Sequence, residues 1–294
     1  RLPLLARLPG IPLSRCPLTN LQQLMTMMNN PLGNTGIMVS PLGLGTVKLG
    51  RDQDVKYPTA FTIPDDQQAG NLIACAREAG INLIDTAPAY GNSEERLGKL
   101  LAGQRQDWII CSKAGEEFHN GQSSFNFTPE HLRYSIARSL QRLNTDYLDL
   151  LLIHSDGNDT DIIHRYEVFD TLAALKQAGW IRAFGFSGKT CEGGLLASRY
   201  ADVLMVTFNT GYQDELPVIE ACHQNGVGVL IKKALASGHL APAGENVDPV
   251  QQSMNLVIGQ PGVSSAIIGT INPTHLLDNV RKASAALHLK QARI

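Results

Sequence analysis

The stretch YLDLLLIHSD, residues 147–156, is an apolar run of strand length that ends in a histidine and a polar loop. A strand wetted on one face alternates apolar and polar residues, so a run this continuous belongs to a strand covered on both faces. VGVLI, residues 227–231, reads the same way. Working outward, similar aliphatic or β-branched runs occur at 38–45, 81–85, 108–112, 181–187, 203–208 and 265–268, which makes eight strand candidates. Segments of helical period lie between and after them, at 65–79, 93–102, 128–143, 166–178, 191–199, 216–224, 249–258 and 273–287. Thr128-Pro129 and Asn272-Pro273 place a capping residue before a first-turn proline, and Gly80, Gly179 and Gly226 stand where a helix hands over to a strand. Eight strand-then-helix units predict a single-domain α/β fold, a (β/α)8 TIM barrel.

The 294 residues are 43% hydrophobic and 18% charged, which suits a large packed core. With 25 basic against 27 acidic side chains, the net charge of -2 gives no general reason to bind nucleic acid or an anionic membrane. No apolar run approaches the roughly 20 residues of a membrane helix. The cysteines Cys16, Cys75, Cys111, Cys191 and Cys222 are scattered singly, without zinc-site spacing. Reduced thiols and a cytoplasmic location are therefore expected. Residues 1–30, with prolines at 3, 9, 12 and 17, are expected to form a non-core N-terminal extension, and residues 31–294 the barrel.

In such barrels the reacting groups sit at the C-terminal ends of the strands. Four predicted ends carry residues awkward for a pure core: Asp85 with Tyr90 in IDTAPAYG, Lys113 in IICSKAG, His154, and Ser187 in IRAFGFSGK. A desolvated lysine needs a carboxylate, and Asp85 on the preceding strand is its natural partner. A nearby ammonium is expected to draw the Tyr90 phenol down toward the working pH and make it a proton donor. His154 could hydrogen-bond a substrate oxygen. None of these groups can supply hydride, so a nicotinamide cofactor is required for carbonyl reduction. PLGLGT (41–46) lacks the third glycine of a Rossmann fingerprint. His154, Asp156, Asp159, Asp161 and His164 have no recognised ligand spacing, and no metal is expected.

Over roughly residues 32–288 the chain resembles the aldo-keto reductases. The motifs run LGNTGIMVSPLGLGT, DTAPAYGNSEERLG, SKAG, DLLLIHSD, IRAFGFSGK, LASG and IIGTINPTHLLDNV, in the family's order. The resemblance implies a barrel whose bottom is closed by an N-terminal hairpin in LGNTGIMVS, a catalytic tetrad of Asp85, Tyr90, Lys113 and His154, and an extended NADP(H) across the mouth. It implies hydride transfer to a carbonyl carbon while Tyr90 protonates the oxygen, or the reverse. It places Gly45, Thr46, Asp85, Leu235, Ser237 and Gly238 along the cofactor, and Ser187 on its carboxamide.

Three neighbouring positions depart from the family pattern: Gly188 replaces an asparagine, Met205 a glutamine and Lys232 the aromatic that stacks on nicotinamide. A cation over that ring disfavours its positively charged oxidised form. At the adenosine end Gly269 and His275 replace lysine and arginine, which weakens recognition of a 2′-phosphate. Thr270, Asn272, Asp278 and Asn279 remain to hold the nucleotide. NADPH is the expected cofactor, with NADH as the alternative. Tyr57, Phe118, Phe125 and Phe127 could line a substrate pocket or pack their own loops. The expected partner is a small carbonyl or alcohol. An aldose or alcohol dehydrogenase, or a cofactor-binding regulatory subunit with little turnover, are the other readings.

Overall fold

The computed structural model describes residue 16, residues 27–241 and residues 247–292. It opens on a hairpin of β1 (Asn30–Pro31) and β2 (Met38–Val39), followed by β3 (Leu42–Gly45), α1 (Val47–Gly50), α2 (Asp66–Glu78), β4 (Leu83–Asp85), α3 (Ser93–Leu100) and β5 (Ile109–Ala114). A second hairpin, β6 (Glu116–His119) and β7 (Gln122–Phe125), leads into α4 (Pro129–Arg142). Then come β8 (Leu148–His154), α5 (Asp159–Arg165), α6 (Val168–Gln177), β9 (Ile181–Ser187), α7 (Cys191–Ala197) and β10 (Val203–Thr207). The chain continues through α8 (Leu216–Asn225), β11 (Gly228–Lys232), α9 (Pro249–Gly259), β12 (Val263–Ile268) and α10 (Pro273–Gln291). Strands β3, β4, β5, β8, β9, β10, β11 and β12 pair in that order and close into one parallel barrel.

Alternation along the strands separates two cores. Leu150 and Leu152 of β8 join Leu83, Cys111, Ala183, Met205 and Leu230 inside the barrel, where Leu32, Ile37 and Val39 of the first hairpin plug the bottom. Leu151 and Ile153, one residue out of step, pack instead with the surrounding helices. The one charge inside the apolar run, Asp149, is 1% exposed and fully engaged. Its carboxylate accepts from Arg105 Nη2 at 2.8 Å, Arg182 Nη1 at 2.6 Å and the Ile110 amide at 3.0 Å. It lies at the N-terminal end of β8, the stability face of such a barrel.

Helix starts follow their capping residues. Thr128 Oγ1 accepts from the His131 amide with Pro129 in the first turn, and Asn272 Oδ1 accepts from the Thr274 amide ahead of α10. The predicted strand at 38–45 is two elements. Pro41 has no N–H for a ladder, and the break there separates the bottom hairpin from the barrel. Helix α5 and the β6–β7 hairpin were not expected, because both are too short and too polar to give a periodic signal.

The cysteine expectation needs correction: Cys16 and Cys75 are joined by a disulfide, while Cys111, Cys191 and Cys222 are free. The bond ties the segment before the barrel to α2 across 59 residues of sequence, a closure worth about 4 kcal/mol in a chain-entropy account. Of residues 1–30, only Cys16 and 27–30 are described; Cys16 and Met27 are buried in the core, and the rest of the expected extension lies outside the described residues. Among the described residues no helix is long and apolar enough to cross a membrane.

Candidate active site

Strand register assembles the site. Pairing sets Gly45 beside Asp85, His154 beside Ser187 and Thr207 beside Lys232, so the C-terminal ends of neighbouring strands ring one mouth. Lys113, on β5, reaches across to β4. Its Nζ donates to Asp85 Oδ1 at 2.6 Å and to the Thr86 carbonyl at 3.0 Å, with side chains 1% and 5% exposed. The same nitrogen stands 4.7 Å from the centre of the Tyr90 ring, and Tyr90 meets His154 edge to face at 6.2 Å. Burial alone would pull the Lys113 ammonium down, but Asp85, aided by Tyr90, holds it above its ordinary value.

The phenol does not behave as the sequence suggests. Burial pushes Tyr90 above its ordinary value, and the opposing pull of Lys113 is smaller. Desolvation is the largest influence, and Asp85 works with it against the ammonium that was expected to acidify the ring. Tyr90 therefore stays protonated at neutral pH and holds a proton it can give.

A further carboxylate, not anticipated from the sequence, stands against His154: Glu116 Oε2 lies 2.8 Å from His154 Nδ1. Burial would raise Glu116, but its contacts with His154 and Ser123 hold it at about 2. His154 itself is drawn below its ordinary value by burial, with Glu116 opposing. An ionised carboxylate at Nδ1 keeps a proton on that nitrogen and leaves Nε2 as the other polar atom of the ring. An acid only three residues beyond Lys113 was the available signal, obscured because nothing marked the turn that folds β6 back over the mouth.

From this cluster a groove of about 520 Å³ extends over the barrel top. Gly45, Asp85, Ser187, Met205 and Lys232 line it near the cluster, and Leu235, Ser237 and Gly238 line it farther along. Gly269, Thr270, His275, Asp278 and Asn279 also line it. Three candidates are placed otherwise. Thr46 is buried, its hydroxyl donating to the Asp85 carbonyl; Gly188 offers its carbonyl to Lys232; and Asn272 caps α10. Of the aromatic candidates Tyr57 lines the groove, and a Cβ on Gly269 would meet its hydroxyl at 3.2 Å. The other three lie outside it. Phe118 stacks on the Arg51 guanidinium at 3.5 Å, while Phe125 and Phe127 stack on each other in a separate depression with Tyr166. Phe118 and Phe127 thus pack against neighbouring segments, at Arg51 and Tyr166, and Phe127 joins the core outside the barrel.

Among the described residues no group of three His, Cys, Asp or Glu could hold a metal. Asp159 instead ties loops together, accepting from Ser155 Oγ, the Lys189 and Thr190 amides and Thr190 Oγ1. The arrangement can give or take a proton at Tyr90 beside a fixed ion pair and can hold an extended polar molecule alongside.

Comparison with known proteins agrees with this geometry. The aldo/keto reductase family model matches residues 41–257. A crystal structure from Pseudomonas aeruginosa assigned to the aldo-keto reductases is 56% identical, covers 89% of this chain and 98% of that one, and superposes with a TM-score of 0.81. L-galactose dehydrogenase of Arabidopsis thaliana is 35% identical over 72% of this chain and 67% of its own length. NADH-specific methylglyoxal reductase of Escherichia coli is 31% identical over 73% and 69%. Since the matched stretch spans seven of the eight barrel strands and carries Asp85, Tyr90, Lys113 and His154, the chain belongs to the aldo/keto reductase family.

Proposed function

We propose that the protein is an NAD(P)H-dependent oxidoreductase that reversibly reduces an aldehyde or ketone to an alcohol, with Tyr90 as proton donor. The observation that carries this reading is the buried Asp85–Lys113 pair beside Tyr90 at the head of an open groove. The groove suits a dinucleotide. Its volume falls within the range of cofactor sites, its wall is kept low by Gly45 and Gly269, and it offers Ser187, Ser237 and Thr270 hydroxyls together with Lys48 and Lys233. Bound nicotinamide would supply the hydride that no side chain can.

The chain's residues then divide the remaining work. Tyr90 gives its proton to the carbonyl oxygen. Lys113 stabilises the phenolate left behind, and Asp85 fixes Lys113 in place and keeps it charged. His154 orients the reacting hydroxyl: burial draws it below its ordinary value, so the ring is neutral with its proton on Nδ1 against Glu116, and Nε2 accepts from an alcohol. Run in reverse, the same groups serve an NAD-dependent aldose or alcohol dehydrogenase, a reading favoured by the similarity to L-galactose dehydrogenase.

NADPH is the cofactor we propose, with NADH close behind. His275 lines the adenosine end, but Arg281 and Lys282 are both held by Asp278, at 2.6 Å and 2.7 Å. A weak grip on a 2′-phosphate follows, so dissociation constants for NADPH and NADH are expected to lie within about tenfold of each other, the worth of one charge-assisted contact. Parallel fluorescence titrations check this, and nucleotide consumption over a panel of aldehydes and ketones, methylglyoxal and aldoses included, checks the activity. Saturable binding with turnover of at least one carbonyl is expected; the absence of binding by either nucleotide would sink the reading.

A further inference from the structure

Lys232 is a second lysine at the mouth, and the proton transfer described above leaves it unused. It ends β11, lines the groove, and donates from Nζ to Ser187 Oγ at 3.2 Å and to the Gly188 carbonyl oxygen. An ammonium carries three N–H donors and no acceptor, and Nζ makes no third hydrogen bond among the described residues. That donor is free for a molecule in the groove.

The surroundings leave little else to perform the task. A Cβ on Gly188 would stand 2.8 Å from Asp159 Oδ2, so the loop tie made by Asp159 excludes an amide side chain there. Met205, also lining the groove, has a thioether with no donor. Apart from the proton-transfer cluster of Asp85, Tyr90, Lys113 and His154, the polar groups gathered at this end are the Ser187 hydroxyl and the Lys232 ammonium. Burial draws Lys232 down to about 8; Glu215 and Asp159 act to keep it charged, and Lys233 and Lys113 act against it. At pH 7 it is mostly a cation.

We propose that Lys232 anchors the nicotinamide carboxamide through its third N–H, and that its charge makes the groove prefer the reduced dinucleotide, whose ring is neutral, over the oxidised one, whose ring is cationic. The proposal rests on reading the groove as a dinucleotide site. The reduced form then fills the groove at a lower concentration than the oxidised form, and the spent cofactor leaves more readily than the fresh one.

Titration of the wild type, Lys232→Gln and Lys232→Met with NADPH and NADP⁺ at pH 7 tests it, with circular dichroism confirming that each variant is folded. The wild type should bind the reduced form at least about tenfold more tightly, a conservative figure for two cations brought close in a partly buried site. Lys232→Gln keeps a donor without the charge, so NADP⁺ should tighten by roughly tenfold while NADPH moves by less than about threefold. Lys232→Met removes both, and NADPH should weaken by roughly tenfold. Both nucleotides binding with the same ratio in the wild type and Lys232→Gln would overturn this inference and leave the dinucleotide reading standing. Failure of the wild type to bind either nucleotide would overturn both.

Discussion

Tyr90→Phe is expected to lower kcat for carbonyl reduction by about 10²- to 10⁴-fold, the range for loss of a positioned proton donor. The substitution removes one oxygen and keeps the ring, so the packing against His154 and the position over Lys113 survive. Nucleotide affinity, measured by fluorescence titration, should therefore change little. A variant that retains wild-type turnover would remove Tyr90 from the reaction. The raised pKa of Tyr90 also fixes the sign of the pH effect. A donor works while protonated, and a phenol held above its ordinary value of about 10 stays protonated through the neutral range. No fall in reduction rate attributable to Tyr90 is expected below about pH 10.

The second large effect falls on stability as well as on rate. Lys113→Met leaves Asp85 as an unpaired buried carboxylate, a change that typically destabilises by about 3–5 kcal/mol. Adding Asp85→Asn removes the stranded charge, so the double variant should recover most of that loss in chemical denaturation, while turnover stays low because nothing then stabilises a phenolate. Equal stability of the single and double variants would show that the two side chains are not coupled. The pH behaviour follows from the raised value of Lys113. Its contribution is fully present below the unfolded lysine value of about 10.4 and is lost as pH rises through the higher folded value, so stability owed to this pair holds throughout the neutral range.

Much of this site is legible in the sequence. Asp85, Lys113 and His154 each interrupt an apolar run at the end where a barrel puts its chemistry, and a buried lysine all but demands a neighbouring acid. What could not be read was anything set by depth or by irregular backbone. Sequence placed Tyr90 near an ammonium but not the desolvation of its ring, nor that Asp85 would oppose the ammonium, and the direction of its shift came out reversed. Glu116 reaches His154 only because a polar four-residue strand folds back over the mouth, while Phe125 and Phe127 line a separate depression. Cys16 and Cys75 carry no shared motif across their 59-residue separation, so their pairing is a product of the fold and not of spacing.

In the proposed reaction a protonated phenol, backed by a buried ion pair, would face a nicotinamide ring lying in the adjoining groove. A crystal structure of the protein with NADPH addresses it most directly. Density for the dinucleotide is expected between Ser187 and the start of α10, with Tyr90 Oη in hydrogen-bonding reach of Lys113 Nζ and turned toward the nicotinamide. A nucleotide seated elsewhere, or a Tyr90 hydroxyl directed away from both, would contradict it.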